Sequence, residues 1–472
     1  MRHSALMRQP LYTHYTLMIS TFLSKKVNLL FLLTLALGSY FTALAQNAKP
    51  AEHVVLISID GFRPNFYLEE KWPAPNLQTM AKEGARSLGV TGVFPSVTYP
   101  SHTTVITGTT PDKHGIYYNA PFEPEGQTGR WYWENELIQV STLWEAVRND
   151  GMTSASFLWP VSVNAPIDYN LPEYWSLEGY GRIEPMREME TPKGLLAEME
   201  LNVLGKLNEK TFNGDFLNRE DRIGDMAGYI LETYKPNLIT LHLIATDHFQ
   251  HSEGRDGPMV YKSIAATDRA IGKIMEAAER AGVLDKTTFI ITGDHGFVNI
   301  HSSLSPNIWL VNAGLMENRD DRGDWKAAFH TSGASAFLHL KDKNDTTTVV
   351  QVEKILGDLP ENIKKLFRVV NREELDEVGA DPNAVLALAP IQGISFSGST
   401  SGDLLKPAKG GTHGYFPDFD EIETGFIAWG AGIRENVEIQ EMGLVDVASV
   451  VKYLLDLSID LPQSTLYPGI KK

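Results

Sequence analysis

Residues 54–61 read VVLISIDG, a short apolar run that ends in an acidic residue and a glycine. The chain contains three apolar runs that lead to an acidic residue, in residues 54–60, 238–247 and 288–294. Short apolar runs that alternate with helical stretches predict the buried strands of a largely parallel sheet, and ligands of such sheets bind beyond the carboxyl ends of the strands. The sequence therefore predicts an α/β fold in which Asp60, Asp247 and Asp294 meet and hold a cationic ligand.

The segments between and after these runs complete the predicted organisation. Residues 259–281 carry apolar residues on one helical face and are followed by Gly282, which predicts a crossover helix between two parallel strands. Residues 169–218 read as an irregular excursion and residues 302–407 as an insertion that forms a smaller subdomain. We expect the insertion and the end of the chain to contain strands at 336–340, 367–370 and 425–429 and a helix near 348–356.

The first 45 residues have the composition of a secretory signal peptide. They contain four basic residues and no acidic one, then an apolar run from Val27 and the small-residue site Ala43-Leu44-Ala45. We predict export to the periplasm or medium with cleavage of this leader; the alternative is an uncleaved leader that acts as a membrane anchor. Without the leader the formal charge changes from −17 to −21, which disfavours binding of nucleic acid polymers and stable membrane insertion. The chain has no cysteine.

Six residues near the predicted strand ends and in nearby loops have side chains that bind metals. They are Asp60, Asp247, His251, Asp294, His295 and His413. Three carboxylates and three imidazoles suit zinc, and two sets of three would leave each ion an open position. His248 competes with His251 for the same role.

A threonine stands at a second chemically notable place, in the stretch GVFPSVTYPSHTTVITG at 92–108. We expect a short helix that ends at Gly108 and has Pro100 in its first position, so Thr98 would lie just before the helix N-terminus. Unpaired N–H groups there favour an anion such as phosphate. The alternative is that Thr98 or a neighbour only caps the helix.

Taken together these motifs resemble the nucleotide pyrophosphatase/phosphodiesterases of the alkaline phosphatase superfamily. The matching pieces occur in the family's order, at 59–61, 94–102, 107–111, 114–119, 247–251, 294–296 and 412–415. The resemblance implies an alkaline-phosphatase-like sandwich over residues 46–472, with a central sheet flanked by helices. The family usually has Asn where Ser101 stands, and Pro and Gly where Thr246 and Gln250 stand.

The resemblance also implies roles for the candidate site residues. It predicts two Zn²⁺ ions per chain, one held by Asp60, Asp294 and His295 and the other by Asp247, His251 and His413. Thr98 would be the nucleophile, in contact with the first ion, and would become phosphorylated. Asn119 would donate a hydrogen bond to a phosphate oxygen, with help from the backbone amides that follow Thr98.

The substrate class is inferred from the region after Arg148. Residues 149–181 contain no Lys or Arg but several aromatic residues, which favours a diester with an aromatic group over a monoester with an extra negative charge. The family resemblance places Tyr99 and Tyr174 on either side of a nucleobase, and Trp159 is a further candidate for this pocket. We expect a small nucleotide or other phosphodiester as substrate and a nucleoside 5′-monophosphate as product.

Other functions remain open at this point. A phosphomonoesterase, a phospholipid head-group phosphodiesterase and an exported metal-binding protein without turnover are the alternatives. A sulfatase is disfavoured, because its nucleophile derives from Cys or Ser and here Thr98 occupies that position.

Overall fold

The computed structural model describes residues 49–179, 181–462, 464 and 466–472. The predicted leader, 1–45, lies outside the described residues. Residues Pro50–Lys472 form one compact unit. In the part of the chain that the structure describes, no helix is long and apolar enough to cross a membrane.

Seventeen strands occur in the described residues. They are β1 His53–Ile59, β2 Ala85–Ser87, β3 Ser154–Phe157, β4 Tyr169–Leu171, β5 Leu238–Leu243, β6 Thr287–Gly293, β7 Val298–Asn299, β8 Ser302–Leu304, β9 Ala327–Ser332, β10 Ser335–Leu340, β11 Phe367–Val370, β12 Leu386–Pro390, β13 Ile394–Phe396, β14 Leu405–Pro407, β15 Gly411–Thr412, β16 Phe426–Gly430 and β17 Val437–Ile439.

The α-helices lie between these strands. They are α1 Asn65–Leu68, α2 Pro75–Glu83, α3 Thr98–Thr107, α4 Pro111–His114, α5 Leu143–Asn149, α6 Ile183–Met189, α7 Leu195–Met199, α8 Glu209–Phe212, α9 Phe216–Thr233, α10 Ala245–Glu253, α11 Pro258–Arg280, α12 Asn307–Asn312, α13 Thr346–Gly357, α14 Glu361–Lys364, α15 Arg372–Glu377, α16 Asp446–Leu455 and α17 Leu466–Ile470. The predicted crossover helix is confirmed as α11.

The central sheet has eight strands in the order β17-β2-β16-β6-β1-β5-β3-β4. Among the described strands, β16 runs antiparallel to both neighbours, and the other pairings of this sheet are parallel. The prediction of a largely parallel sheet is therefore confirmed. Every residue of β1 is buried, because helices cover both faces of the sheet: α9 and α11 on one side, α3, α5 and α16 on the other.

Strands β8 to β14 build two smaller sheets with a core of their own. A four-stranded antiparallel sheet has the order β11-β12-β10-β9, and β8 pairs with β13 and β14. The strands predicted at 336–340 and 367–370 and the helix near 348–356 are confirmed. The excursion that begins at 169 is more regular than expected, since β4 is the edge strand of the central sheet and three short helices follow it.

The N-terminus of α10 is capped by a side chain from a neighbouring helix. Oε1 of Glu220, in α9, accepts hydrogen bonds from the backbone N–H groups of Ile244 (2.9 Å) and Ala245 (2.7 Å). Burial raises the pKa of Glu220 from its usual value of 4.5 to about 7. The folded protein therefore binds the Glu220 proton more tightly than the unfolded chain, and ionisation of this group lowers stability as the pH rises from about 4.5 to above 7.

We expect Glu220→Gln to stabilise the metal-free protein at high pH, because glutamine keeps a carbonyl acceptor without the buried charge. In urea unfolding with a chelator present, the variant should exceed wild type by about 3 kcal/mol at pH 8 and agree with it within about 1 kcal/mol at pH 5. Glu232→Gln, on the exposed face of the same helix, is the matched control. A stability difference that does not change with pH would contradict this prediction.

Candidate active site

Two adjacent strands of the central sheet deliver the first group of site residues. Asp60 follows β1, and Asp294 and His295 follow β6, its neighbour in the sheet. One oxygen of each carboxylate is held: Oδ1 of Asp294 accepts from the backbone N–H groups of Gly61 and His295, both at 3.0 Å, and Oδ2 of Asp60 lies 3.1 Å from Nε2 of His242. The second oxygen of each carboxylate is buried and has no partner among the described residues.

These free oxygens converge on one imidazole. Nε2 of His295 lies 3.3 Å from Oδ1 of Asp60 and 3.2 Å from Oδ2 of Asp294, and it too is buried without a hydrogen-bond partner in the described chain. Ligand atoms of the three residues lie within 4.8 Å of one another. This is a donor set of suitable size for a metal ion.

A second group lies beside the first. Asp247 is not at the end of β5, as the sequence predicts, but in the first turn of α10, where His251 follows it one turn later. Oδ1 of Asp247 is 3.3 Å from Nε2 of His251 and 3.6 Å from Nε2 of His413. The rings of His295 and His413 stack with centroids 3.5 Å apart, so the two groups adjoin.

The alternative ligand His248 points elsewhere. Its ring stacks on Phe216 at a centroid distance of 3.7 Å, whereas His251 faces Asp247. The geometry favours His251 over His248 for the metal role.

Each candidate histidine ligand is oriented by a backbone carbonyl. The Nδ1–H groups of His251, His295 and His413 donate to the carbonyl oxygens of Gly411 (3.0 Å), Gly296 (3.1 Å) and Ser96 (3.0 Å) in turn. With Nδ1 protonated, the Nε2 lone pair is left to bind a metal, which is the usual arrangement of histidine ligands. His242 and His102 lie behind this layer.

The electrostatics of the group call for a cation. Burial and the nearby carboxylates of Asp247 and Asp294 raise the pKa of Asp60 well above its usual range. Burial raises the pKa of Asp294 to about 7. Burial alone would raise the pKa of Asp247 as well, but His251 and His413 hold it below its ordinary value. A divalent ion would offset the repulsion among the carboxylates, and the unpartnered ligand atoms fit one.

Thr98 lies at the start of α3, next to this group. The helix begins two residues earlier than predicted: Val97 is the N-cap, Thr98 is the first helical residue and Pro100 the third. No side chain caps this helix, so the capping role of Thr98 is not supported, and Gly108 ends the helix in a left-handed conformation as expected. Thr98 is 9% exposed.

The chain around Thr98 connects to both groups of ligands. The carbonyl oxygen of Ser96, two residues before Thr98, holds His413. The ring of His102, one turn after Thr98, lies 2.8 Å from the Thr98 carbonyl oxygen and 3.7 Å from Oδ2 of Asp294, each measured from Nδ1. The helix N-terminus is thus tied to the candidate metal ligands on two sides.

The Asn119 side chain is positioned by the backbone N–H of Tyr99, the residue that follows Thr98 in α3. Its Oδ1 accepts a hydrogen bond from the Tyr99 N–H at 2.8 Å. Since Oδ1 is used, the Asn119 NH₂ group remains to donate outward. The Tyr99 amide, expected to help stabilise the phosphate, is instead bonded to Asn119.

Two of the three predicted aromatic contacts are buried in the core. Trp159 is 0% exposed and packs edge-on against His102 and Trp144, so it has no face for a ligand and this assignment is wrong. The Tyr99 side chain is also 0% exposed, and its hydroxyl donates to Oε2 of Glu173 at 3.2 Å. A base cannot stack on Tyr99 in this conformation.

The third predicted aromatic contact, Tyr174, is only partly buried and belongs to a larger aromatic cluster. Its ring packs edge-on against Trp133 at 5.1 Å, and Trp175 packs against Trp131 (5.1 Å) and Trp133 (5.0 Å). Trp131 and Trp175 are partly buried like Tyr174, whereas Trp133 is 4% exposed and belongs to the core. Sequence reasoning missed Trp131, although the run Trp131-Tyr132-Trp133 is an unusually aromatic signal.

Glu173 and Arg182 were also missed as a pair. Nη1 of Arg182 lies 3.0 Å from Oε1 of Glu173, and its guanidinium covers the Trp175 ring at 4.4 Å. The first cation after the Lys- and Arg-free segment is therefore already compensated by a carboxylate.

Comparisons with known proteins show the family of this chain. The model of the family described as type I phosphodiesterase / nucleotide pyrophosphatase matches residues 54–416. Human ectonucleotide pyrophosphatase/phosphodiesterase family member 7 is 25% identical over 440 residues, which cover 90% of this chain and 85% of that protein. The venom phosphodiesterase of Naja atra is 22% identical over 431 residues, 86% of this chain and 44% of that protein.

A solved structure has the same fold. Murine ectonucleotide pyrophosphatase/phosphodiesterase 5, in an inactive form bound to AMP, superimposes with a TM-score of 0.64 at 22% identity and covers 89% of this chain and 100% of the murine chain. The predicted alkaline-phosphatase-like α/β fold is thereby confirmed. With the family model matching most of its length, the chain belongs to the type I phosphodiesterase / nucleotide pyrophosphatase family.

Proposed function

We propose that the protein is an exported two-zinc phosphodiesterase and nucleotide pyrophosphatase that releases nucleoside 5′-monophosphates through a phosphothreonine intermediate. The observation that carries this proposal is the buried cluster of carboxylate and imidazole atoms without partners, set beside the N-terminus of a helix that begins with Thr98. In a cluster with only a structural role, these buried polar atoms would have hydrogen-bond partners within the protein.

The residues divide into two metal sites in this proposal. Asp60, Asp294, His295 and the Thr98 hydroxyl belong to the first site, and Asp247, His251 and His413 to the second. When bound, zinc supplies Lewis-acid stabilisation of charge on oxygen and lowers the pKa of a hydroxyl.

The reaction proceeds in two displacements at phosphorus. The Thr98 hydroxyl releases its proton to solvent as Oγ1 forms a bond to phosphorus and the bond to the leaving group breaks, and the leaving oxygen takes up a proton from solvent. Water then attacks the phosphorus of this phosphothreonine, which still carries the nucleoside; the bond to Oγ1 breaks, Oγ1 takes up one proton of the water, and the nucleoside monophosphate is released. In both steps the Asn119 NH₂ group donates to a non-bridging oxygen, where negative charge increases.

The substrate class follows from the aromatic cluster and from the relatives. The AMP complex of the murine relative supports a nucleotide, and the partly buried Tyr174 and Trp175 offer surfaces for its base. Arg182 is paired with Glu173, so this cation is already compensated and is less available to the second negative charge of a monoester. This disfavours the phosphomonoesterase alternative. We further propose that the leader directs export, in line with the ectoenzyme names of the relatives.

We expect the purified protein to contain about two zinc ions per chain, because six protein ligands are arranged in two groups of three. Elemental analysis measures the zinc content, and dialysis against a chelator should remove both the metal and the activity, with recovery on adding zinc. Full activity in metal-free protein would contradict the proposal.

Thr98→Ala should lower kcat by at least about 10³-fold with little change in zinc content, because the nucleophile is lost but the other ligands remain. Thr98→Ser should retain measurable turnover. Thr107→Ala, at the end of the same helix, controls for loss of a threonine from α3. Near-normal kinetics of Thr98→Ala would contradict the assignment of the nucleophile.

We expect kcat/KM for p-nitrophenyl thymidine 5′-monophosphate to exceed that for p-nitrophenyl phosphate by at least about tenfold. Stacking on an aromatic face contributes about 1–3 kcal/mol per base, so Tyr174→Ala should reduce the diester value by about one to two powers of ten. The same variant should leave methyl p-nitrophenyl phosphate unaffected, since that diester has the same leaving group but no base. A preference for the monoester would identify a phosphatase instead.

A further inference from the structure

Two residues that depart from the family's usual pattern make specific contacts. Thr246 and Gln250 stand where the family usually has Pro and Gly. Oγ1 of Thr246 donates to the carbonyl oxygen of Asp60 at 2.6 Å, and Nε2 of Gln250 donates to the carbonyl oxygen of Gly61 at 3.0 Å. Both side chains are 0% exposed. Proline or glycine at these positions has no side chain that could make these bonds.

The Asp60–Gly61 turn is thereby held at nearly every polar atom. Its carbonyls are bound by Thr246 and Gln250, the Gly61 N–H by Asp294, and Oδ2 of Asp60 by His242. Oδ1 of Asp60 is left without a partner among the described residues. The Gln250 side chain packs closely against Gly61: a Cβ atom added to Gly61, whose φ is +67°, would lie only 2.7 Å from Nε2 of Gln250.

The same helix serves both groups of ligands. Thr246 and Gln250 are one turn apart in α10 and share a face, and Asp247 and His251 are one turn apart on the adjacent face. The face with Thr246 and Gln250 thus binds the turn that carries Asp60, while the face with Asp247 and His251 carries ligands of the second group.

We propose that Thr246 and Gln250 are positioning residues that fix Asp60 for the first metal site, so that a helix of the second site controls the affinity of the first. This inference rests on the two-metal assignment made above. Among the described residues, Oδ1 of Asp60 has no hydrogen-bond partner, so its position depends on the backbone of the turn, which the two hydrogen bonds from Thr246 and Gln250 hold in place.

The test measures zinc affinity by competition with a chromophoric chelator, in two backgrounds that each keep one site. His413→Ala impairs the second site, and His295→Ala impairs the first. Thr246→Val and Gln250→Leu are then introduced together in each background. Loss of residues that orient a ligand typically weakens metal binding 10–100-fold, so in the His413→Ala background we expect at least about tenfold weaker binding of the remaining zinc.

In the His295→Ala background, the same pair of substitutions should change zinc affinity less than about threefold. A merely structural role predicts the opposite, because disorder of α10 would act first on Asp247 and His251, which that helix carries. Thr287→Val is the matched control: its hydroxyl is equally buried and donates to the Val283 carbonyl at 2.7 Å, at the end of β6 opposite to the one that Asp294 follows. It should leave both affinities unchanged.

An equal loss of zinc affinity in the two backgrounds, or no loss of affinity in either, would overturn the positioning role. Neither result would contradict the proposal of a two-metal enzyme. Wild-type protein that binds no zinc would overturn the proposed function, and this inference with it. Thr246→Ser, which keeps the hydroxyl, should restore first-site affinity when combined with wild-type Gln250.

Discussion

Electrostatic repulsion among three carboxylates is the constraint around which the site is built. Asp60, Asp247 and Asp294 come together in a largely buried space, where Asp247 and Asp294 raise the pKa of Asp60 and Asp247 raises the pKa of Asp294. Such a group is stable only if cations or hydrogen bonds compensate it. The fold supplies some compensation through backbone N–H groups and imidazoles, but among the described residues one oxygen of each carboxylate has no hydrogen-bond partner. The negative charge that remains uncompensated favours the binding of metal ions.

The features that follow from periodicity could be predicted from the sequence. The strands before Asp60 and Asp294 are apolar throughout because both faces of a parallel sheet are covered, and β1 and β6 lie where the pattern places them. Neighbouring parallel strands end at the same edge, so the convergence of Asp60 and Asp294 needed no further information. The spacing of Asp247 and His251 is that of one helical face, but the sequence predicts Asp247 at the end of a strand, whereas the structure has both residues in α10.

The features that depend on tertiary packing could not be predicted. An aromatic residue in a sequence does not reveal which of its faces is covered, and so Trp159 and Tyr99 were assigned to a pocket although both are core residues. His242 lies in the middle of an apolar strand, where a lone histidine gives no signal, yet it holds the carboxylate of Asp60. The start of α3 was misplaced because Pro100 is favourable in the first turn as a whole and does not mark one position.

His413 shows how the smaller sheets contribute to the site. It directly follows β15 and lies between Gly410 and Gly414, both at positive φ, and glycine gives a segment more conformational freedom in the unfolded chain. Contacts from outside this segment must therefore hold it in one conformation. The β9–β10 hairpin provides it, because the Ala334 N–H donates to the His413 carbonyl at 2.7 Å and the Ser335 hydroxyl to the Gly414 carbonyl at 2.7 Å. The ligand is thus fixed on one side by the carbonyl next to the nucleophile helix and on the other by a hairpin outside the central sheet, which couples the order of that hairpin to the geometry of the metal ligands.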